Sequence, residues 1–535
     1  MFSQCKKYFT KHRGAIVVIL IASLINAALG TVSPYITGSI VTRISNRYPP
    51  QAIFVGCCVL LAIYLVSQVI GFVVGLIRIK TEICMGEEFN SDVIFYVQDL
   101  PYAFIQKQNI TVLNQAINQD TNTVIAYCLD TLLSVLTRVV SLFVLLVLCF
   151  SISPRMTFVI ALSALAYIAI FLKMKRPIFN ARKEFRASES IFFSKLFEQL
   201  EHIYFIKTNS IEANFRKRLT YSFDNYLKIR MKDNMIQAAL SGWQGITSII
   251  FQVVMLLMGA TLVYNGKLEV GFLLTFSSYF SQLQGSVQYF LSLGASYQNA
   301  KVSQKRIHDI LSNPVESTGK ERIDVIFSIE VNHLSFLFPD RDQKLYSDLS
   351  FTMRRGRIYC LAGDNGKGKT TLINILLGLY NDQIPSGAIA INNTDIKEID
   401  MKWLRKKRIA YLSQENVILQ DTYADNLSLL SGTEVGLEKE ALFELCRLLN
   451  SKDINEQDRI SLDTLSGGEA RKVCILRTLL KDCGILILDE PDSSLDEKSI
   501  IALMDYVADN KEEKITIVVS HNMNVMKRCD EVIQL

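Results

Sequence analysis

Gly363, Gly368, Lys369 and Thr370 stand at the spacing G-x-x-x-x-G-K-[ST] inside the run LAGDNGKGKTTL, residues 361–372. Such a spacing holds phosphate. Glycine lets successive backbone N–H groups turn inward on one anion, and the first turn of a following helix adds the positive end of its dipole. The candidate contacts are therefore Gly363, Asp364, Asn365, Gly366, Lys367, Gly368, Lys369, Thr370 and Thr371. Lys369 is placed for the β- and γ-phosphates of a nucleotide and Thr370 for a Mg²⁺ ion. The flanks agree with the motif: residues 358–362 read as a buried strand and residues 371–380 as an apolar helix.

Other chemistry-bearing groups follow in order. Residues 464–470 read TLSGGEA, and residues 484–491 read GILILDEP, a buried strand ending in the paired acids Asp489 and Glu490. Ser520 and His521 close the apolar strand 515–519, Gln414 sits in YLSQEN, and Phe338 sits in SFLFP. A lone Ser-His pair is ordinarily a strand end, and a lone Gln is ordinarily solvated. Paired acids after an apolar strand say more, because carboxylates crowded together are a common mark of a site. The basic cluster 405–408 reads as a solvated face.

The elements that must position these groups divide the chain. Its 535 residues allow two or three domains, and the 50% hydrophobic content is concentrated in the first 300 residues. Six stretches are long enough to cross a bilayer, near 15–40, 53–77, 131–150, 156–172, 245–264 and 272–293. The polar intervals 78–128 and 173–240 are rich in Lys and Arg, which places them and the N-terminus in the cytoplasm. Helical periodicity in residues 192–206 predicts that the spans continue past the bilayer as long stalks. The boundaries read as 1–310 for the membrane domain, 311–325 for a linker and 326–535 for the α/β P-loop domain. The 11 cysteines have no metal-ligand spacing, and adjacent Cys57 and Cys58 cannot make an ordinary bridge. A net charge of +5 without a basic stripe interleaved with aromatics excludes nucleic acid as the implied partner.

The order of the motifs, with LSGGE the most specific, resembles the nucleotide-binding domain of ATP-binding cassette (ABC) transporters. Six spans followed by one such domain resemble an exporter-type half-transporter, and the resemblance covers essentially the whole chain. It implies ATP and Mg²⁺ as cofactors and a multi-pass protein of the cell membrane. Asp489 is then implied to hold the Mg²⁺ shell, Glu490 to polarise the attacking water and His521 to contact the γ-phosphate. Gln414 is implied to touch both metal and water, and Phe338 to stack on adenine. Ser466, Gly467, Gly468 and Glu469 are implied to complete the site of a second subunit, with 494–496 along the dimer interface. Residues 203–211 and 104–112 are similar to the family's coupling helices. Two departures stand out: the chain closes at Leu535, short of the closing hairpin and terminal helix often found in the family, and the region before Leu465 lacks the glycine-glutamate-rich stretch common in exporters.

Polar residues within the spans recur on single helix faces. Gln237, Ser241, Gln244, Ser248 and Gln252 step by four, three, four and four; Ser277, Ser281, Gln284 and Gln288 form a second stripe, and Asp130, Ser134, Arg138 and Ser141 a third. Such stripes line a cavity or tie helices together. A cavity rich in amides and hydroxyls suits an amphipathic or peptide-like cargo. The leading expectation is a homodimeric, ATP-driven exporter in contact with membrane lipids; a lipid flippase is the second reading, and an ATP-gated channel or importer the third.

Overall fold

A computed structural model describes residues 2–108, 110–338, 344–364, 366–381, 384, 386–430 and 458–535. Asn365, one of the expected phosphate contacts, lies outside them. The chain divides into two compact units, residues 1–95 with 110–312 and residues 96–109 with 313–535.

The first unit is helical. Its long helices are Arg13–Ser45, Pro50–Gln98, Thr121–Ile152, Pro154–Glu201, Glu212–Tyr264 and Gly271–Leu311. Helices of 48 to 53 residues reach about 70–80 Å at 1.5 Å per residue, more than twice the hydrocarbon thickness, so they continue well past a bilayer. Among the described residues, five segments are long and apolar enough to cross one: Arg13–Ser45, Pro50–Gln98, Leu113–Ile152, Pro154–Glu201 and Glu212–Tyr264. The expected sixth span, 272–293, lies in Gly271–Leu311, which falls outside that set because Ser277, Ser278, Ser281, Gln282, Gln284 and Gln288 dilute its apolar run. Its apolar face is nevertheless buried, with Phe276, Tyr279, Phe280 and Leu283 packed against Leu145, Met156, Ile160 and Met255.

Two local features hold this helix against Arg13–Ser45. Pro34 has no N–H for the carbonyl of Gly30, and that oxygen accepts instead from Gln282 Nε2 at 3.1 Å and Ser33 Oγ at 3.3 Å. Thr275 Oγ1 donates to the Pro34 carbonyl and Tyr279 OH to that of Thr31, each at 2.9 Å. Gly38 and Gly271 let the two backbones touch: a Cβ built on Gly271 would lie 1.8 Å from the Gly38 oxygen. Small residues at a helix crossing serve the same end throughout membrane proteins.

The second unit is α/β. Its strands are β1 (Ser328–Phe336), β2 (Tyr346–Arg354), β3 (Arg357–Ala362), β4 (Ser386–Ile391), β5 (Thr394–Asp395), β6 (Ile409–Leu412), β7 (Asp421–Thr422), β8 (Arg459–Ile460), β9 (Ile485–Asp489), β10 (Ile515–Val519) and β11 (Glu531–Gln534). One sheet, in the order β11-β3-β10-β9-β6, is parallel throughout; a second, β2-β1-β4-β5, is antiparallel; β7 and β8 pair alone. Parallel strands buried on both faces read as continuous apolar runs, and the period of two sorts their side chains. Ile485 and Ile487 face the core shared with the antiparallel sheet, whereas Leu486 and Leu488 face the helices Gly467–Leu479 and Glu497–Asp509. In β10, Ile515, Ile517 and Val519 take the first core and Val518 the second. The ends of β3, β9 and β10 therefore come out side by side, at Ala362, Asp489 and Val519.

Candidate nucleotide site

The motif residues collect at the C-terminal ends of these strands, where ligands bind in parallel α/β sheets. β3 delivers the loop 363–368 to the helix Lys369–Leu376. Gly366 and Gly368 hold φ of +85° and +97°, a region that favours glycine. At Gly368 a Cβ would also stand 2.4 Å from Tyr346 Oη. Lys369, 8% exposed, folds over the loop: its Nζ donates to the Gly363 carbonyl at 2.6 Å and lies 2.8 Å from His521 Nε2. The loop and the residue after β10 are thereby joined. Asp364, Gly366, Lys367 and Thr370 are exposed and Thr371 half-buried, so the phosphate-facing side of the loop is open.

Asp489 ends β9 with only 2% of its surface exposed. Burial, reinforced by the neighbouring Glu490 charge, pushes its carboxyl up to about 6, against the opposing pull of Arg471 and the hydroxyls of Tyr411 and Thr370. Its Oδ2 is buried and has no hydrogen-bond partner among the described residues. A buried carboxylate oxygen left unpaired, with Thr370 close by, fits a hard divalent cation.

Glu490, next along the chain, is half-buried and sits at φ +49°, an uncommon conformation for a residue with a side chain. Its N–H donates to the Val519 carbonyl at 2.9 Å, and Gln414 Nε2 donates to its Oε2 at 3.1 Å. The expected base and the expected metal-and-water contact are therefore in direct contact with each other.

Arg471 explains how this corner is held, and its role was not visible in the sequence. It is 1% exposed, and its guanidinium donates to the carbonyls of Asp489 at 2.5 Å, Glu490 at 2.7 Å, Ser413 at 2.6 Å and Gln414 at 3.2 Å. One planar fork thus ties the end of β9 to the loop after β6. Only the tight turn of LSGGE into a helix hinted at it, by turning the sixth residue after Leu465 inward.

Ser466 caps the helix Gly467–Leu479 in a capping box: Glu469 N–H donates to Ser466 Oγ at 3.3 Å, and Ser466 N–H to Glu469 Oε2 at 2.8 Å. Gly468 lies under the backbone of Ser494, whose carbonyl oxygen would be 2.8 Å from a Cβ there; Ser494 itself has φ +65°. Ser466 and Gly467 are exposed. Phe338 packs edge-on against Phe336 and Tyr380, with ring centroids 5.0 and 6.0 Å apart. Tyr380 OH donates in turn to Gln106 Oε1 at 2.7 Å, beside the short helix Tyr102–Ile105 of the same unit. The other expected coupling segment contains the helix Ile203–Thr208 in the first unit.

The polar stripes of the first unit meet in part. Gln284 Nε2 donates to Ser248 Oγ at 2.9 Å and Gln252 Nε2 to Ser277 Oγ at 3.3 Å, so these four side chains tie the fifth and sixth long helices together. Asp130 accepts from Arg78 Nη2 at 2.8 Å, Ser134 Oγ at 2.9 Å and Tyr289 OH at 3.2 Å.

Comparison with known proteins agrees with this architecture. Residues 16–287 match the ABC transporter transmembrane region family and residues 346–493 the ABC transporter family. The chain is 24% identical to the transport/processing ATP-binding protein ComA of Streptococcus pneumoniae serotype 4, over 98% of this chain and 74% of that protein. It is 25% identical to the mesentericin-Y105 transport/processing ATP-binding protein MesD of Leuconostoc mesenteroides (98% and 73%), and 24% identical to the β-(1→2)glucan export ATP-binding/permease protein NdvA of Bartonella bacilliformis (99% and 89%). Its fold is similar to that of a bacterial Atm1-family ABC exporter solved with ATP bound, at TM-score 0.80 and 17% identity over 98% of this chain and 93% of that one. A helical membrane region and a P-loop unit, matched in one chain by both families, make this protein an ATP-hydrolysing membrane transporter of the ABC transporter family.

Proposed function

We propose that two copies of this chain pair to export an amphipathic cargo, a peptide or small organic molecule, across the cell membrane. Residues 1–310 form the transmembrane domain, 311–325 the linker and 326–535 the nucleotide-binding domain, with the N-terminus and the nucleotide-binding domain cytoplasmic. The observation that carries the pairing is the capped turn 466–469, exposed at Ser466 and Gly467, which offers N–H donors at a helix start. The phosphate loop of a second copy is what those donors face in the pair. Because one chain carries Glu490, His521 and the LSGGE turn, two identical copies make two competent sites.

Within each site, Phe338 stacks on adenine and the loop 363–371 wraps the phosphates. Thr370, Asp489 and Gln414 hold Mg²⁺, which when bound neutralises charge on the phosphate oxygens. Glu490 polarises the attacking water, its carboxylate aimed by Gln414, and His521 with Lys369 faces the γ-phosphate. ATP favours the paired state over the separated one, and hydrolysis releases that bias. The relatives are named for different cargoes, mesentericin-Y105 in one case and β-(1→2)glucan in another, so likeness does not choose between them. The amide- and hydroxyl-bearing surface of the helix Gly271–Leu311 favours a peptide-like molecule.

The test is cargo capture followed by transport. Glu490→Gln protein is purified and whatever co-purifies is identified by mass spectrometry. That compound is then offered to inside-out vesicles bearing the wild type. ATP-dependent accumulation inside the vesicles supports export. A co-purified lipid that only changes leaflet would replace export with flipping.

A further inference from the structure

We infer that Arg138, on the helix Thr121–Ile152, is a recognition group for a carboxylate on the cargo; this rests on the export reading and names its substrate class. Arg138 lies seven residues into the expected span 131–150, about 10 Å along the helix. At such depth an ionised side chain is costly unless it meets a counter-ion, a watery cavity or a ligand. Asp130, which shares Tyr289 with it, does not serve it. Asp130 Oδ1 accepts from Arg78 Nη2 at 2.8 Å and from Ser134 Oγ at 2.9 Å, and its Oδ2 from Tyr289 OH at 3.2 Å.

Arg138 instead lies over the ring of Tyr289, its Cζ 4.5 Å from the centroid, and makes one long hydrogen bond, 3.4 Å, to the Gly285 carbonyl. Among the described residues, no Asp or Glu pairs with it. The ring holds the guanidinium plane in place, and among the described residues most of its five N–H donors remain without a partner. Next to it there is room: a Cβ built on Gly285 meets nothing within 4 Å.

The adjoining surface is polar as well. Ser278, Ser281, Gly285, Gln288 and Ser292 are all exposed and share one face of Gly271–Leu311. A face of serine, glycine and glutamine is ill suited to lipid and well suited to a peptide backbone or an acyl amide. Charge bookkeeping is consistent, since Arg78, Asp130 and Arg138 leave one uncompensated positive charge in the cluster. A planar carboxylate matches the planar fork with two parallel hydrogen bonds.

The full-length protein in nanodiscs is titrated with two probe pairs that differ only in charge. The first is N-dodecanoylglycine against its amide; the second is an apolar nonapeptide as free acid against its C-terminal amide. Wild type binds the acid of at least one pair about tenfold more tightly than the amide, the gain expected of a charge-assisted hydrogen bond. The pair that shows it tells a lipid-like cargo from a peptide. In Arg138→Gln the ratio falls to about one, while binding of the amide, close to wild type, reports an intact fold. A wild-type ratio near one for both pairs overturns the inference, and so does a wild-type ratio preserved in Arg138→Gln. If ATP moves no cargo in vesicles, the export reading fails; the acid-to-amide ratio still decides whether this carboxylate site exists.

Discussion

Arg471 Nη2 donates to the carbonyl oxygen of Glu490 at 2.7 Å, and the same guanidinium reaches the Ser413 and Gln414 carbonyls. The residue proposed to polarise water and the residue that aims it are thus fixed by one buried cation through their backbones. Arg471 acts through Glu490 and Gln414 rather than on ATP, which makes it a positioning residue. In Arg471→Gln, kcat for ATP hydrolysis is expected to fall about 10- to 100-fold, because misplacement near 1 Å is enough for that. KM for ATP should stay within about threefold, since no binding contact is lost. Steady-state hydrolysis at varied ATP separates the two, and a change confined to KM would contradict the assignment.

Asp489 couples function to instability. Its folded carboxyl is raised from 3.8 to about 6 by burial and by Glu490. A raised carboxyl favours the folded state in its protonated form, so that advantage is lost as pH climbs from 3.8 to about 6, and the ionised group burdens the metal-free fold above that. The shift corresponds to roughly 3 kcal/mol as an upper bound. Asp489→Asn removes the charge at nearly constant shape. Its melting temperature at neutral pH in a chelator should exceed that of wild type, and Mg-ATP should add much less stability than it adds to wild type. A variant that melts below wild type in chelator would refute this.

The contact between Gly38 and Gly271 leaves no room for a methyl group, which would sit 1.8 Å from the Gly38 oxygen. Gly271→Ala should therefore force the helices apart and lower stability by about 1–3 kcal/mol or more. Gly294→Ala on the same helix meets nothing within 4 Å and should be neutral or slightly stabilising, as alanine usually is in a helix. Thermal melts of the two variants in one detergent give the comparison, and equal melting temperatures would argue against the close crossing.

Much of the nucleotide unit was legible because its signals are local. The strands at 358–362 and 515–519 show as apolar runs, and the phosphate loop and the capped turn are set by residues within a few positions of each other. Arg471 was not legible, because its partners lie 57 and 58 residues before it and 18 and 19 after it, and in the string EARK it looks like an ordinary solvated helix charge. The membrane unit was legible as long helices but not in its pairing. The stripes on the fifth and sixth spans looked alike in sequence; in the fold Ser248 meets Gln284 and Gln252 meets Ser277, while Gln252, Ser281 and Gln288 are exposed. Helical periodicity shows which residues share a face, and only packing shows what that face meets.

In the proposed pair, two copies sandwich ATP between the loop 363–371 of one and the turn 466–469 of the other, with Glu490 needed for its hydrolysis. Its most direct test is the amount of nucleotide retained by purified Glu490→Gln protein after incubation with Mg-ATP and rapid gel filtration. The expected result is a paired particle holding two unhydrolysed ATP molecules and turnover reduced at least about a hundredfold. Hydrolysis at the wild-type rate, or ATP held by single subunits that never pair, would contradict it.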